Sequence, residues 1–479
     1  MNRISLLLIL AACGSQSASA RLQKTESGST AGIPIDSANL GRLLDSAMTQ
    51  GMARDNIPGA AFILVKNGRV VLARGFGYAD LESRRAWGPE RTIFPIASIT
   101  KVFTATAVMQ LVDEGQIQLD GDVNRYLTSV QVPPTYPQPV TPAHLLSHTA
   151  GFDEIPGRQA ASPREVIPLG RFLRNRLVRV HRPGELTGYS SYGAALAGLL
   201  VQDVSGLSFE DFLQRHIWRP LGMTRTSLRR PEAKDSAFAT AYQLEDGKPH
   251  AIPYEVYHTP PTAAIVSTLA DMARFMASHL HNGRRGTTRI LSDTAAEKMH
   301  RQYVTMHPRV PGWTLGFQVN DLNGRRIIEH GGDIGGFSSL MTLLPDEGVG
   351  FLVVHHLEGG NLRFDIRQLI LDRYFPDSIR PQPPRAQPAS SEALRRFEGK
   401  YRPTIYCHSC RGSGPDFGEF EVTANEDGSI SLWDERWFEV SPRYFVSADG
   451  RSRIGFAEDS AGRIFALTAG SWRVLERVH

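Results

Sequence analysis

The sequence predicts an α+β protein whose antiparallel sheet is built from strands at both ends of a long segment, followed by a small all-β domain. Two β-rich regions, each containing an Asn-Gly turn, at 67–68 and 323–324, predict the sheet. Helical and loop segments rich in Pro and Gly separate them. Beyond the second region, short alternating apolar and polar runs between Asp-Gly-like turns predict the all-β domain.

The first twenty residues, "MNRISLLLILAACGSQSASA", predict an export signal. One early arginine precedes an apolar run from Ile4 to Ala12 and then small residues, and the run is too short to span a bilayer. "LAAC" predicts a lipoprotein acylated on Cys13, whereas the Ala-x-Ala pattern at 18–20 predicts ordinary cleavage; both remain open. We expect a periplasmic or cell-envelope protein, with membrane attachment only through a lipid on Cys13.

The main predicted domain spans 36–375. "AAFILVKNGRVVLARGFGYAD" (60–80) predicts a β-hairpin. From Ser98 to Glu114 the apolar residues recur at the 3.6-residue spacing of a helix, and Gly115 stands where a C-terminal cap belongs.

β patterning returns at 313–330 and 338–356, and a helix is predicted at 362–374. These elements complete an antiparallel sheet flanked by helices, with an inserted, mainly helical region. The proline-rich stretch 376–391 predicts a semi-rigid linker. Residues 392–479 then predict a small β-barrel-like domain.

Composition excludes a nucleic-acid partner and leaves an ordinary globular protein. The 479 residues are 41% hydrophobic and 21% charged, with a formal net charge of +4. The arginines are dispersed along the chain instead of forming a basic stripe. We therefore expect a small-molecule ester, amide or peptide as the partner.

The cysteines predict a disulfide. Cys13 is acylated or removed, which leaves Cys407 and Cys410 in "CHSC". An oxidising envelope compartment joins such a pair. A zinc site needs about four ligands and only His408 is nearby, so we expect a disulfide or two idle thiols and no metal.

"FPIASITK" (94–101) places a candidate nucleophile, Ser98, three residues before Lys101. A serine hydroxyl needs a base within hydrogen-bond reach, and a three-residue spacing on a helix puts both side chains on one face. Lys101 can act as that base only when neutral, which desolvation favours. No serine has the flanking glycines of the Gly-x-Ser-x-Gly elbow.

An ordered series of motifs resembles the serine β-lactamase and penicillin-binding-protein superfamily, in the branch of class C β-lactamases, serine esterases and D-amino-acid peptidases. The resemblance covers about 55 to 375, roughly two thirds of the chain. It is carried by "IPGAAFILVKNGRVVLARGFGYADLE", "FPIASITKVFTA", "TPAHLLSHTAGF", "PGELTGYSSYG", "LGM" and "EHGGDIGGFSS".

The resemblance implies a role for each matching residue. Ser98 would be the nucleophile, with Lys101 and Tyr189 sharing proton transfer. His330-Gly331-Gly332 aligns with the third family element, on a strand where glycine lets the substrate approach closely. The backbone N–H groups of Ser98 and Asp333 would form the oxyanion hole. His148 we expect to be structural, and no cofactor is implied.

Two departures from the family pattern bear on the substrate. The asparagine of Tyr-x-Asn is Ser191 here, and the lysine of Lys-Thr-Gly is His330, which is largely neutral at pH 7 if unperturbed. Both changes disfavour β-lactam hydrolysis. We expect an acyl-enzyme serine hydrolase acting on carboxylic esters or D-amino-acid amides, with a β-lactamase or a catalytically silent cell-wall peptide-binding protein as alternatives.

Overall fold

A computed structural model describes residues 34–228, 237–377, 391–410, 418–470 and 473–478. The predicted signal segment with Cys13, and nearly all of the predicted linker, lie outside these ranges. Within them, no helix has both the length and the apolar character needed to cross a membrane.

The predicted antiparallel sheet is confirmed and has seven strands. Their order in space is β4-β5-β6-β7-β1-β2-β3, so that β1, from the start of the domain, pairs with β7, from its end. The strands are β1 (Gly59–Lys66), β2 (Arg69–Asp80), β3 (Arg85–Ala86), β4 (Gln318–Leu322), β5 (Arg325–Ile334), β6 (Phe337–Leu344) and β7 (Val349–His356).

Both Asn-Gly pairs form the tight turns that the sequence predicts. Asn67 and Gly68 have φ angles of +50° and +76°, and Asn323 and Gly324 have +52° and +64°. Two successive positive φ angles are the requirement of the type I′ turn, which matches the twist of the flanking strands. The turns join β1 to β2 and β4 to β5.

Helices cover both faces of the sheet, and β1 divides its side chains between them. Phe62 and Leu64 pack towards two helices at the ends of the domain, whereas Ile63 and Val65 pack towards the helices of the insertion. The first layer contains α1 (Ser37–Arg54) and α5 (Leu362–Tyr374); the second contains α2 (Thr100–Asp113), α3 (Ser191–Ser205) and α4 (Leu269–Leu280). The sequence pattern predicts α5, whereas α1 lies where no element is predicted.

The inserted region is mainly helical, as predicted, but also carries small β-ribbons. Its shorter α-helices are Pro142–Leu146, Leu169–Leu173, Phe209–Leu213, Arg219–Leu221, Pro260–Ala263 and Asp293–His300. Its ribbons pair Phe94–Pro95 with Val266–Ser267, Gln159–Ala160 with Val256–Tyr257, Ala241–Glu245 with Lys248–Ile252, and Arg284–Arg285 with Thr288–Arg289. Tighter or wider turns of helix lie at Ala97–Ile99, Val123–Arg125, Pro163–Glu165, Gln214–Trp218 and, outside the insertion, Pro345–Glu347.

The C-terminal region is a closed eight-stranded barrel, which confirms the predicted small all-β domain. Ser391–Leu394 and Arg395–Phe397 form short helical turns before it. Its interior holds aromatic and aliphatic side chains such as Tyr401, Trp437 and Phe456. The strands are Gly399–Pro403, Phe420–Ala424, Ser429–Leu432, Glu435–Ser441, Tyr444–Ser447, Arg453–Glu458, Ile464–Ala469 and Arg473–Arg477.

The barrel docks against loops of the larger domain. The Thr404 hydroxyl donates to the Thr187 carbonyl at 2.9 Å, and the His408 backbone N–H donates to the buried Asp153 carboxylate at 2.7 Å. Thr187 lies two residues before Tyr189. The barrel therefore contacts the segment that carries one of the predicted catalytic side chains.

Candidate active site

Ser98 lies in a tight turn immediately before α2. The turn, Ala97–Ile99, is a single 3-10 turn, so the predicted helix begins as a tighter coil than an α-helix. Ala97 has a φ of +49°, a left-handed conformation that residues with a Cβ adopt at a cost of about 1 kcal/mol or more. The Ile96 N–H donates to the Ile265 carbonyl at 3.0 Å and fixes the turn to the insertion.

Lys101 contacts Ser98 as the spacing predicts. Its Nζ donates to Ser98 Oγ at 3.1 Å and to the Thr262 carbonyl at 3.0 Å, and its side chain is buried. Burial, assisted by the positive charge of Arg158, lowers the pKa of Lys101 from 10.5 to about 7. A large fraction of Lys101 is therefore neutral at neutral pH and able to accept a proton.

Tyr189 completes the group as a neutral phenol. Lys101 Nζ lies 4.9 Å from the centroid of its ring. Burial raises the pKa of Tyr189 well above its ordinary value of 10, and a hydrogen bond with Ser98 only partly opposes this. Burial is the largest of the effects on this pKa. Tyr189 is thus suited to donate a proton.

An aromatic cluster holds Tyr189 in place. Its ring centroid is 4.5 Å from that of His148 and 5.8 Å from that of Trp313. His148 Nδ1 accepts a hydrogen bond from the Ser190 backbone N–H at 3.1 Å, and burial lowers the pKa of His148 well below 6.5. His148 is a neutral residue that positions the tyrosine. Trp313 had no recognisable signal in the sequence, because it lies 124 residues away from Tyr189.

The third motif lies on β5 beside the turn that carries Ser98. A Cβ on Gly332 would lie 2.5 Å from the Ile96 carbonyl oxygen and 2.9 Å from Ala97 Cβ. A Cβ on Gly331 would meet nothing closer than 3.7 Å. The sequence analysis attributed glycine here to the approach of substrate. At Gly332 the group that comes close is the protein's own turn that carries Ser98.

The backbone N–H of Asp333 is one predicted oxyanion donor. Its side-chain carboxylate is bound by two partners. Arg363 forms an ion pair with its carboxylate at 2.6 Å and also donates to the Gly332 carbonyl at 3.0 Å. The Ser338 hydroxyl donates to the carboxylate at 2.5 Å. These contacts fix the end of β5 to α5 and to β6.

His330 is buried and uncharged. Its Nδ1 is 2.7 Å from the Gly331 carbonyl oxygen, which assigns the proton to Nδ1 and leaves Nε2 as an acceptor. Burial and the charge of Lys101 lower the pKa of His330 to about 3. Nε2 has no hydrogen-bond partner among the described residues. The residue that replaces the family lysine therefore supplies no positive charge.

Ser191, the other departure from the family pattern, begins α3 and is buried. Its backbone N–H donates to Glu154 Oε1 at 2.6 Å, and Tyr192 N donates to the same oxygen at 3.3 Å. Glu154 and Arg158, in "GFDEIPGR", were missed by the sequence analysis. The only indication of these two residues in the sequence is that they directly follow one of the family motifs.

The two missed charges act in opposite directions on Lys101. Arg158 lowers the pKa of Lys101 and Glu154 raises it. We therefore expect Arg158→Gln to move the rise of kcat/KM with pH, which follows deprotonation of Lys101, to higher pH. Glu154→Gln, which keeps an acceptor for the Ser191 N–H, should move it to lower pH. Hydrolysis of a p-nitrophenyl ester between pH 5 and 9 measures both shifts, and movement in the same direction for both variants would contradict this assignment.

The remaining predicted residues lie in the barrel domain. Cys407 and Cys410 are joined by a disulfide, with their Cα atoms 5.4 Å apart. The bridge lies near Asp153, because His408, between the two cysteines, contacts Asp153. It does not belong to the group around Ser98.

The seven-stranded sheet lies between helical layers, and Ser98, Lys101 and Tyr189 meet beside its strand β5. The family model "Beta-lactamase" matches residues 44–374. This match covers more than half of the chain. The chain belongs to the β-lactamase family, whose members are of the serine-hydrolase type.

Similar proteins include penicillin-binding proteins. Protein flp of Staphylococcus aureus strain N315 is 27% identical over 328 residues, which are 66% of this chain and 62% of that protein. The chain thus matches under two thirds of that relative. Penicillin-binding protein 4 of Amycolatopsis lactamdurans is 30% identical over 341 residues, 66% of this chain and 84% of that protein. The octameric penicillin-binding protein homologue from Pyrococcus abyssi has the same fold, with a TM-score of 0.61, 24% identity, and coverage of 91% of this chain and 100% of that chain.

Proposed function

We propose that the chain is an exported serine hydrolase that forms an acyl-enzyme on Ser98 and acts on carboxylic esters or D-amino-acid amides. The observation that carries this proposal is the 3.1 Å hydrogen bond between Ser98 Oγ and a buried Lys101 whose pKa lies at about 7. A nucleophile and a neutral base in contact are what acyl transfer from a serine requires. The name of the relative from Amycolatopsis, a penicillin-binding protein, supports the same class.

In acylation, Ser98 Oγ attacks the carbonyl carbon while its proton moves to Lys101 Nζ. The negative charge that develops on the carbonyl oxygen is stabilised by the N–H groups of Ser98 and Asp333. Tyr189 gives its phenolic proton to the leaving alkoxide or amine and regains one from Lys101. The acyl group is now bound to Ser98, and Lys101 is neutral again.

In deacylation, water repeats these steps in the other direction. Tyr189 accepts the proton of the attacking water while it passes its own phenolic proton to neutral Lys101, and the carbonyl is again polarised by the two N–H groups. The tetrahedral intermediate collapses with departure of Ser98 Oγ, which recovers its proton. The products are the carboxylic acid and the regenerated enzyme, and every proton is carried by residues of this chain.

The substrate preference follows from the charges near Ser98. His330, neutral and holding an acceptor at Nε2, is suited to a substrate hydroxyl or amide N–H. Arg158 supplies a positive charge to the site, is half-exposed, and has no ion pair in the described part of the chain. A carboxylate on a D-amino-acid substrate could pair with Arg158, which supports the peptide side of the proposal, whereas neutral esters need only Ser98 and its partners.

Export remains part of the proposal. The Cys407–Cys410 disulfide supports it, because such bonds persist in oxidising compartments outside the cytoplasm. A signal segment at 1–20, lipid attachment at Cys13 and a periplasmic or envelope location are proposed on sequence grounds.

Covalent labelling tests the function. A fluorophosphonate probe should label the wild-type chain once, seen as one mass increment of the intact protein, and should not label Ser98→Ala. Ser208→Ala, at the cap of a helix in the insertion, is the control and should label like wild type. An unlabelled wild type, as a silent peptide-binding protein would give, or equal labelling of Ser98→Ala, would sink the proposal.

A substrate panel then separates the activities. We expect turnover of short-chain p-nitrophenyl esters or D-amino-acid p-nitroanilides to exceed that of a chromogenic cephalosporin. Faster turnover of the cephalosporin would instead establish the β-lactamase alternative.

A further inference from the structure

Three polar side chains from distant parts of the sequence converge where the barrel meets the larger domain. His181 lies in a loop of the insertion, His408 lies between the two disulfide-bonded cysteines, and Glu476 lies in the last barrel strand. All three are largely buried, with side-chain exposures of 16%, 11% and 10%. They are separate from the group around Ser98, and the proposed reaction uses none of them.

Their ligand atoms have the spacing of a tetrahedral metal site. His181 Nε2 and His408 Nε2 are 3.3 Å apart. Glu476 lies 3.2 Å from the first nitrogen through Oε2 and 3.1 Å from the second through Oε1. Zinc binds such atoms at about 2.0–2.1 Å, so the edges of its tetrahedron measure about 3.3 Å. The His181 nitrogen is thus at this distance from both the His408 nitrogen and Glu476 Oε2, and one ligand atom from each of the three residues lies within 4.8 Å of the others.

The outer contacts of His408 are those of a metal ligand. Its Nδ1 lies 3.1 Å from the Tyr406 carbonyl oxygen and 3.4 Å from the carboxylate of Asp153, which is fully buried. Partners of this kind hold the proton on Nδ1 and direct the Nε2 lone pair to the metal. Asp153 also accepts from the backbone N–H groups of His408 and Ser409. The histidine is fixed before any ion arrives.

Glu476 has competing partners on one oxygen only. Arg402 Nε donates to its Oε1 at 2.6 Å, and the Tyr406 hydroxyl donates to the same atom at 3.2 Å. Oε2 faces His181 Nε2. A carboxylate can bind a metal through one oxygen while its other oxygen accepts hydrogen bonds.

We propose that His181, His408 and Glu476 bind one zinc ion through the two Nε2 atoms and Glu476 Oε2, with a water molecule in the fourth position. Two imidazoles and one carboxylate form an established ligand set for zinc, and imidazole nitrogen favours it over calcium or magnesium. The expectation of no metal at "CHSC" rested on ligands close in sequence. The cysteines form a disulfide, and the other ligands come from residues 227 and 68 positions away.

The ion would join the barrel to loops beside the Ser98 site. His181 belongs to the insertion and packs on Gly151, whose added Cβ would lie 2.2 Å from the His181 carbonyl oxygen. Asp153, which holds His408, directly precedes Glu154, the acceptor for the Ser191 N–H. Zinc at this position would stabilise the docked barrel, because an ion that binds only the folded form shifts unfolding to higher temperature.

Metal content and thermal stability test this proposal on the full chain. The protein is treated with EDTA, dialysed, and incubated with excess ZnSO₄, after which unbound zinc is removed. Elemental mass spectrometry should find about one zinc per wild-type chain. Zinc should also raise the Tm of the wild type by about 3 °C or more. His181→Ala and His408→Ala should each bind at least tenfold less zinc and lose the Tm shift. His250→Ala, which removes an exposed histidine of a hairpin, should behave like wild type.

A second readout does not depend on the variants. Co²⁺ added to the metal-free wild type should give the visible absorption of tetrahedral cobalt, and Zn²⁺ should abolish it. The proposal would be overturned by less than a tenth of a zinc per wild-type chain, by the absence of a cobalt spectrum, or by variants His181→Ala and His408→Ala that bind as much zinc as wild type. Each of these results would leave the cluster as an ion-pair network. Ser98→Ala should bind zinc like wild type, so the result does not depend on the proposed function.

Discussion

Replacement of Lys101 by arginine is expected to lower kcat/KM by about 10³-fold, within the range found for loss of a general acid or base. Arginine retains a positive charge and a long side chain, but it does not lose its proton in proteins and cannot accept one from Ser98. Lys101, with its pKa lowered to about 7 by burial, is neutral above that pH. Wild-type kcat/KM should therefore rise with pH through about 7, and the residual activity of Lys101→Arg should lack this rise.

Hydrolysis of p-nitrophenyl acetate between pH 5 and 9 measures both effects. Lys248→Arg, in an exposed strand of a hairpin, is the matched control and should keep the wild-type profile. A Lys101→Arg variant that retains more than a tenth of wild-type activity, with the same rise near pH 7, would show that another group is the base.

Gly332→Ala should damage both stability and activity, whereas Gly331→Ala should be tolerated. The Cβ of alanine at 332 would meet the Ile96 carbonyl oxygen, Ser339 Oγ and Ala97 Cβ at 2.5, 2.7 and 2.9 Å. Two of these contacts involve the turn that carries Ser98, so relief of the clash must displace either β5 or the nucleophile. We expect a loss of about 1–3 kcal/mol in the free energy of unfolding, typical of overpacking, and a fall of at least 100-fold in kcat/KM.

Gly331→Ala is the control at the neighbouring position, because its Cβ would meet nothing closer than 3.7 Å. Urea unfolding gives the free energy, and ester hydrolysis gives kcat/KM. If both alanine variants behave alike, the close packing of β5 against the turn that carries Ser98 does not decide why glycine occupies position 332.

The sheet could be predicted from local signals. Asn67-Gly68 and Asn323-Gly324 each fix a turn through positive φ angles that few other residue pairs adopt. Helix α1 was not assigned, although Leu40, Leu44 and Met48 carry its four-residue spacing. The motifs of the superfamily located Ser98, Lys101 and Tyr189 because their order along the chain is specific, and the structure brings all three together.

The surroundings of these residues depend on tertiary contacts and were beyond prediction. Arg158 and Glu154 alter the pKa of Lys101 from a loop with no pattern of its own. Tyr189, whose pKa burial raises, packs against Trp313 and His148, which come from other segments. His181, His408 and Glu476 meet only once the barrel docks. Sequence patterns identify residues within one element, and these groups are assembled from several.

The pairing of β1 with β7 at the centre of the sheet also has a consequence for the way the chain folds. Ala60 pairs with His355, so the paired residues lie about 295 positions apart in the chain, and the segment between them holds the helical insertion and the other five strands of the sheet. Closing so long a loop makes the domain one of high contact order, which folds slowly. β1 can pair with β2 at once, but its other edge stays unpaired until β7 has left the ribosome, and an unpaired apolar strand edge is exposed to aggregation. The proposed export would benefit from this delay, if the chain crosses the membrane unfolded.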